Sequence, residues 1–567
     1  MIEAMQGFDS FLNDVIKTWK SPGGGIAVVK DGEIVYSAGC GFRDQEKQLP
    51  LTPDSIFAIG STSKAFSAAS IGILVDEGKL EWDKPIRYYI PEFRMVDRVA
   101  SEYLSVRDML CHRSGLARHD LAWYHRKMTR RDLLKLLACL EPNESFRNRW
   151  QYQNIIYGTT GLVVEAVTGK TWEDFVQERI LNPLGMTSTN FSVTVSEQSD
   201  NFCYPYLEHE DNILRIPFAN LDALGPAGSI NSTLNDMCKW MALNLNRGKL
   251  GDTQIVSEAS MGQIHRPQMV VLDDSPLSFK DTDSSETYGM AWGIYDYRGV
   301  EAWEHTGGID GFATEVFLVP EHNLGVVSFT NMSTGAPMAI ARTAIDRILG
   351  FEPIDWSARF KDSYDKAMAG AKEGAKAPRQ EGTHPSHPVE DYAGKFEHPG
   401  YGDIEFVMKE GALTVLFRDW EIPLQHVHYD VFDGELPVLG IYLKFTFEMD
   451  DKGNIERVSS PLDPMVKPIV FTRVPDEGMK QRGFLEQFEG EYELMGQTLK
   501  IALKGECTLC ASGPGMPEME LVPYRGTTFT LKGMEVVSLE FKMNGGEKAK
   551  EMVMTQPGAV MTAKRKE

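Results

Sequence analysis

From residue 8 the apolar positions Phe8, Phe11, Leu12, Val15 and Ile16 recur at helical spacing, which predicts an amphipathic N-terminal helix. Residues 24–43, GGIAVVKDGEIVYSAGCGFR, switch to two β runs around Asp31-Gly32, a hairpin signal. After Ser61 the helical spacing returns in Ala65, Phe66, Ala68, Ala69, Ile71, Ile73, Leu74 and Val75, and Gly78 stops it. Residues 105–190 read as mostly helical, with loops at CHRSGL and NPLGM. Residues 233–247 form an amphipathic helix behind a capping Thr or Asn. Strand-like runs follow at 288–297, 312–319 and 324–330, then a helix at 337–349. Strands contributed from both ends of this unit, with helices between them, predict an α+β sandwich over residues 1–365.

The pattern changes after about residue 365. Residues 366–388 are rich in Ala, Gly, Pro and charge and read as a linker. Short alternating strands with Gly turns then run to the end, which predicts small antiparallel barrels or sandwiches. Tyr392-Ala-Gly-Lys-Phe396 resembles Phe488-Glu-Gly-Glu-Tyr492, and Gly411-Ala-Leu-Thr-Val415 resembles Gly505-Glu-Cys-Thr-Leu509. Two related β modules are expected, at 389–476 and 483–567.

Composition narrows the function classes. The 567 residues are 42% apolar and 25% charged, as in ordinary globular protein. A net charge of −23 argues against a nucleic-acid partner and against docking on anionic membrane. The N-terminus lacks a basic segment followed by an apolar one, and no window approaches the ~18 apolar residues of a membrane span. The cytoplasm is therefore the expected location. The seven cysteines are scattered, and Cys507-x-x-Cys510 has no second pair, so neither a disulfide framework nor a metal site is expected. His426 and His428 share one strand face without a third ligand and read as surface residues. No cofactor is implied.

The chemistry starts at FAIGSTSKAFSA, residues 57–68. A serine hydroxyl needs a base within hydrogen-bond reach. Residues i and i+3 share a helix face, so Lys64 would stand beside Ser61. A buried lysine loses its charge more easily and can serve as that base. Residues 150–161, WQYQNIIYGTTG, contain Tyr152-x-Asn154, a phenol that can relay a proton and an amide that can orient a substrate. Residues 303–314, WEHTGGIDGFAT, contain His305-Thr306-Gly307-Gly308, whose glycines let a backbone approach closely. Each motif alone has an ordinary alternative: a solvated helix face for Ser61-x-x-Lys64, a packing tyrosine with a capping asparagine for Tyr152-x-Asn154, and a partly buried structural histidine for His305.

In order and spacing, the three motifs resemble the serine penicillin-recognising hydrolases, in the branch of class C β-lactamases, D-aminopeptidases and family VIII esterases. The segments GKLEWDKPIRYYIPEF, LCHRSGL, YGTTGLVVEAVTGKTWEDFVQERILNPLGM and GPAGSINSTLNDMCKW also look like that family, over about residues 8–350. The resemblance implies a β-lactamase/transpeptidase-like fold, an antiparallel sheet flanked by helices plus a helical region, followed by lipocalin-like barrels. It implies Ser61 as acylated nucleophile, Lys64 and Tyr152 sharing the base work, and Asn154 on the substrate amide. The N–H groups of Ser61 and Gly308, beside Gly307, would form the oxyanion hole. His305 stands where many relatives have lysine, so carboxylate-bearing penicillins and D-Ala peptides are put in doubt. The activity implied is cleavage of amides or esters, with small D-amino-acid amides or short peptides foremost. A carboxylesterase with weak β-lactam cleavage and a non-turnover penicillin-binding protein are the alternatives. In some relatives the barrels lean over the active site or support a homo-oligomer.

Overall fold

The computed structural model describes residues 3–566 except 273–277, 376–377, 437–440, 544 and 546. In the first domain the β runs assemble into one nine-stranded antiparallel sheet. In chain order its strands are β1 (Gly23–Lys30), β2 (Glu33–Asp44), β3 (Leu49–Pro50), β4 (Met269–Val270), β5 (Asp283–Tyr288), β6 (Gly293–Tyr297), β7 (Val300–Ile309), β8 (Phe312–Val319) and β9 (Leu324–Thr330). Their spatial order is β4-β5-β6-β7-β8-β9-β1-β2-β3, so N-terminal strands pair with the last strand, as the sandwich reading requires. Asp31 and Gly32 both have positive φ, 53° and 83°, at the β1–β2 hairpin.

Both faces of the sheet are covered, which explains the unbroken apolar run IAVV in β1. Ile26 and Val28 join a core with α1 (Phe8–Thr18), while Ala27 and Val29 join the core on the opposite face. That opposite face carries α2 (Ser63–Asp76), which is buried from Ser63 to Leu74. A helix that is apolar and small on all sides belongs in the middle of a domain. Its Phe66 stacks on Trp240 of α4 (Leu234–Leu245) at 3.8 Å, and α3 (Asn154–Thr168) packs beside it.

Two local readings change. The 288–297 run is not one strand: β5 ends at Tyr288, β6 begins at Gly293, and Ala291 turns between them with φ 75°. The expected linker begins as helix. After α5 (Ala336–Leu349), α6 runs Trp356–Ala375. Trp356 and Phe360 dock it into the core, and the ion pairs Lys361–Asp365 and Lys366–Asp362 support the next turn. Helix propagation then needs no apolar stripe of its own. Residues 376–377 of that stretch lie outside the described residues.

Beyond it stand two barrel-shaped sheets. The first has nine strands, with Trp420–Pro423 and Gln425–His428 at its two ends, and is nearly closed. The second is a closed eight-stranded barrel from Gly490–Leu494 to Ala559–Arg565. The repeated pentapeptides occupy matching places. Tyr392 and Phe396, like Phe488 and Tyr492, are fully buried. Arg473 covers the Phe396 ring and donates to Ala393 O, while Arg565 covers Tyr492 and donates to Glu489 O. Aromatic side chains fill both interiors.

Candidate active site

Ser61 lies in the single 3-10 turn Gly60–Thr62 that runs directly into α2. The turn is tied down from several sides. Thr62 Oγ1 donates to Ile59 O at 2.9 Å, Ile230 N donates to Ser63 Oγ at 3.1 Å, and Ser67 Oγ donates to Pro226 O at 2.7 Å. Lys64 follows on α2 and has no solvent exposure. Its Nζ lies 3.0 Å from Ser61 Oγ, 2.9 Å from Asn154 Oδ1 and 2.7 Å from Ala227 O. Burial holds the Lys64 pKa well below its ordinary value of 10.5, with the Arg118 charge adding to the effect and Asp120 opposing it. A neutral amine has two N–H bonds and one lone pair. Asn154 Oδ1 and Ala227 O can only accept, so they take the two N–H bonds, and the lone pair is left for the Ser61 hydroxyl proton.

The orientation of Asn154 is itself held. Its Nδ2 donates to Asp120 Oδ1 at 3.1 Å, which turns Oδ1 toward Lys64. Asp120 Oδ2 accepts from Arg118 Nε at 2.8 Å, and the Arg118 guanidinium lies 5.1 Å from the centre of the Tyr152 ring. Tyr152 precedes α3, close enough to Ser61 for that side chain to work against the effect of burial on its pKa. Lys64 Nζ is 4.7 Å from the Tyr152 ring centre. Burial pushes the Tyr152 pKa up, so its hydroxyl keeps its proton. Gln153, between Tyr152 and Asn154, donates to the carbonyls of Ala117 and Arg118 and fastens that loop to the start of α3.

The opposite wall is β7. Its pairing with β6 ends at Glu304, so from His305 onward it has β8 on one side and an open edge on the other. A Cβ on Gly307 would stand 2.0 Å from Ile59 O, and one on Gly60 would stand 2.9 Å from Gly308 N. Only glycines at 60 and 307 let the edge come this close to the Ser61 turn. His305 is spent internally. Its Nδ1 donates to Thr306 O at 2.7 Å, which leaves Nε2 to accept from Tyr288 Oη at 3.0 Å. Burial above all pushes its pKa down to about 3, so the ring is neutral.

All seven residues expected from sequence therefore meet at one place: Ser61, Lys64, Tyr152, Asn154, His305, Gly307 and Gly308. Others went unread. Ala227 acts through a backbone carbonyl and leaves no side-chain signal. Asp120 and Arg118 follow LCHRSGL as charges in an otherwise apolar stretch, which is the one available cue. His112 packs 4.4 Å from the Tyr152 ring centre and accepts from Gln153 N.

Comparison with known proteins places the chain in a family. Residues 378–473 match a domain of unknown function, DUF3471. An unguisins hydrolase of Aspergillus campestris, ungD', is 29% identical over 443 residues, 73% of this chain and 79% of its own. Protein flp of Staphylococcus aureus is 22% identical over 59% of this chain and 64% of its own. Among solved structures, the octameric penicillin-binding protein homologue from Pyrococcus abyssi superposes with a TM-score of 0.54 at 23% identity, covering 82% of this chain and 99% of its own, a likeness of fold. Residues 8–350 match the beta-lactamase family, and the chain belongs to it.

Proposed function

We propose that the protein is a serine hydrolase that cleaves amide or ester bonds through an acyl-enzyme on Ser61, with small D-amino-acid amides or short peptides as its foremost substrates. The observation that carries this reading is the trio of partners around Lys64 Nζ, which leaves a neutral amine's lone pair for Ser61. Lys64 takes the Ser61 proton as Oγ forms a bond to the acyl carbon. The resulting oxyanion sits between the N–H groups of Ser61 and Gly308. As the C–N or C–O bond breaks, the protonated Tyr152 hydroxyl gives its proton to the leaving amine or alkoxide and is recharged from the Lys64 ammonium. Water then repeats the sequence on the acyl-serine and releases the acid.

His305 narrows the substrate. With both ring nitrogens engaged and no charge, it offers nothing to a substrate carboxylate. A charge-assisted hydrogen bond is worth about 1.5–3 kcal/mol. The kcat/KM for nitrocefin is therefore expected to lie at least about tenfold below that for a substrate without a carboxylate, such as a p-nitrophenyl ester or D-Ala-p-nitroanilide. Comparable turnover of nitrocefin would remove this selectivity. The same panel decides the reaction: anilide turnover selects the amidase, ester turnover alone selects the carboxylesterase. A fluorophosphonate that fails to label Ser61 would sink both.

A further inference from the structure

His119 sits between Arg118 and Asp120, the two residues that reach Tyr152 and Asn154. Its backbone is left-handed, with φ 47°. For a residue other than glycine that conformation carries a backbone cost that the surroundings offset. Two of its three hydrogen-bond partners come from the first C-terminal module. His119 N donates to Asp463 Oδ2 at 2.7 Å. His119 Nε2 donates to Glu141 O at 2.8 Å, so Nδ1 accepts from Tyr401 Oη at 2.8 Å. His119 is completely buried, and Arg418 of the same module donates to Leu121 O at 3.4 Å. A second left-handed histidine, His125 with φ 52°, closes the loop's other end. It bonds Asp310 at 3.0 Å, just past Gly308 on the β7–β8 hairpin, and its ring packs 5.0 Å from Trp420 of the module.

We propose that the first C-terminal module is a positioning part of the active site: Tyr401 and Asp463 hold His119 left-handed, and that hold sets Arg118 over Tyr152 and Asp120 on Asn154. The proposal rests on the reading of Ser61 as an acylated nucleophile. The route is continuous, from Asp463 and Tyr401 through the His119 backbone to Asp120, Asn154 and Lys64. Tyr401 and Asp463 are positioning residues, since neither touches Ser61.

The titratable and charged groups facing Lys64 are Arg118 and Asp120 from this loop, Tyr152 and Tyr157 at α3, His112, and His305 on β7. Releasing the loop admits water to Lys64 and moves the Arg118 charge away. Both changes raise the Lys64 pKa toward its ordinary value, against a smaller opposite contribution from losing Asp120. A released loop therefore moves the acid limb of the acylation profile to higher pH, whereas partial unfolding lowers the plateau and leaves the limb in place.

The test measures the rate of Ser61 labelling by a fluorophosphonate across pH in the full chain and in Tyr401→Phe, Asp463→Ala and Asp463→Asn. The expected result is a roughly tenfold slower plateau with an upward-shifted acid limb in Tyr401→Phe and Asp463→Ala. Asn retains one acceptor for His119 N–H, so Asp463→Asn should recover most of the rate. His119→Gly should label faster than His119→Ala, because glycine accepts the left-handed backbone without strain. A wild-type limb in both Tyr401→Phe and Asp463→Ala overturns the proposal, whatever their plateaus. If wild-type Ser61 takes no label, the acyl-enzyme reading falls with it; if it does and the variants keep its limb, only the positioning role falls.

Discussion

Ser61→Ala is expected to lower kcat/KM by about 10⁴-fold or more, and Lys64→Met by nearly as much, while the double variant loses no more than the worse single. The reason is geometric. Lys64 has one lone pair and one hydroxyl to serve, and its other two contacts are acceptors that cannot be turned into donors. The serine without its base, or the base without its serine, performs no partial reaction. Steady-state kinetics on the p-nitrophenyl ester decides this. Losses that multiply in the double variant would mean that Lys64 acts elsewhere than on Ser61. The pH sign follows from the same burial. The reactive form is the neutral amine, so activity rises with pH through the Lys64 pKa, which burial holds well below 10.5. The acid limb of the activity profile is therefore expected well below the pH at which an exposed lysine loses its proton.

Gly307→Ala is the second large effect. The added methyl would stand 2.0 Å from Ile59 O, a backbone atom that no rotamer change can remove. β7 must move away from the Ser61 turn, and the Gly308 N–H moves with it. Losing one oxyanion donor costs about 10²–10³ in kcat, and overpacking of this kind costs about 1–3 kcal/mol of stability. The adjacent Gly308→Ala is the comparison: its methyl meets nothing within 4 Å, so a much smaller loss in kcat is expected. Similar losses at both positions would show that close approach at 307 is not what makes glycine necessary.

The contrast between these two glycines marks what the sequence could and could not say. Ser61 with Lys64 and Tyr152 with Asn154 were legible as candidates because each pair falls in one short motif, and the structure brings the two motifs together. His305 was legible as a position but not as an environment: nothing in HTGG says that Tyr288 and the Thr306 carbonyl occupy both ring nitrogens. Asp120 and Arg118 contact Asn154 and Tyr152, so only their charge in an apolar stretch marks them. The apolar run of β1 read correctly because it is buried on both faces. β5 was missed because Asp283–Tyr288 reads SSET in its middle, and the more apolar 288–297 run drew the strand past the Ala291 turn. The first ten residues of the expected linker are helix because docking at Trp356 and Phe360, upstream of them, starts it.

The repeat also suggested two equivalent barrels. Inside, they are: each closes an arginine over a buried aromatic. Outside, they differ. The first module's core, including Tyr401, Phe417 and Phe471, is continuous with that of the catalytic domain, where Gly400 lies against Leu140. The second barrel keeps an apolar core of its own, and hydrogen bonds tie it to the first, from Tyr524 to Asp450, Lys452 to Ser538, and Arg525 to Asn454. Cooperativity follows cores rather than sequence repeats. Heating or denaturant should therefore melt the chain as two units, the catalytic domain with its first barrel together and the second barrel alone. The seam between these units is expected near residues 474–481, and a protease that finds it would release the smaller unit and leave the larger one folded.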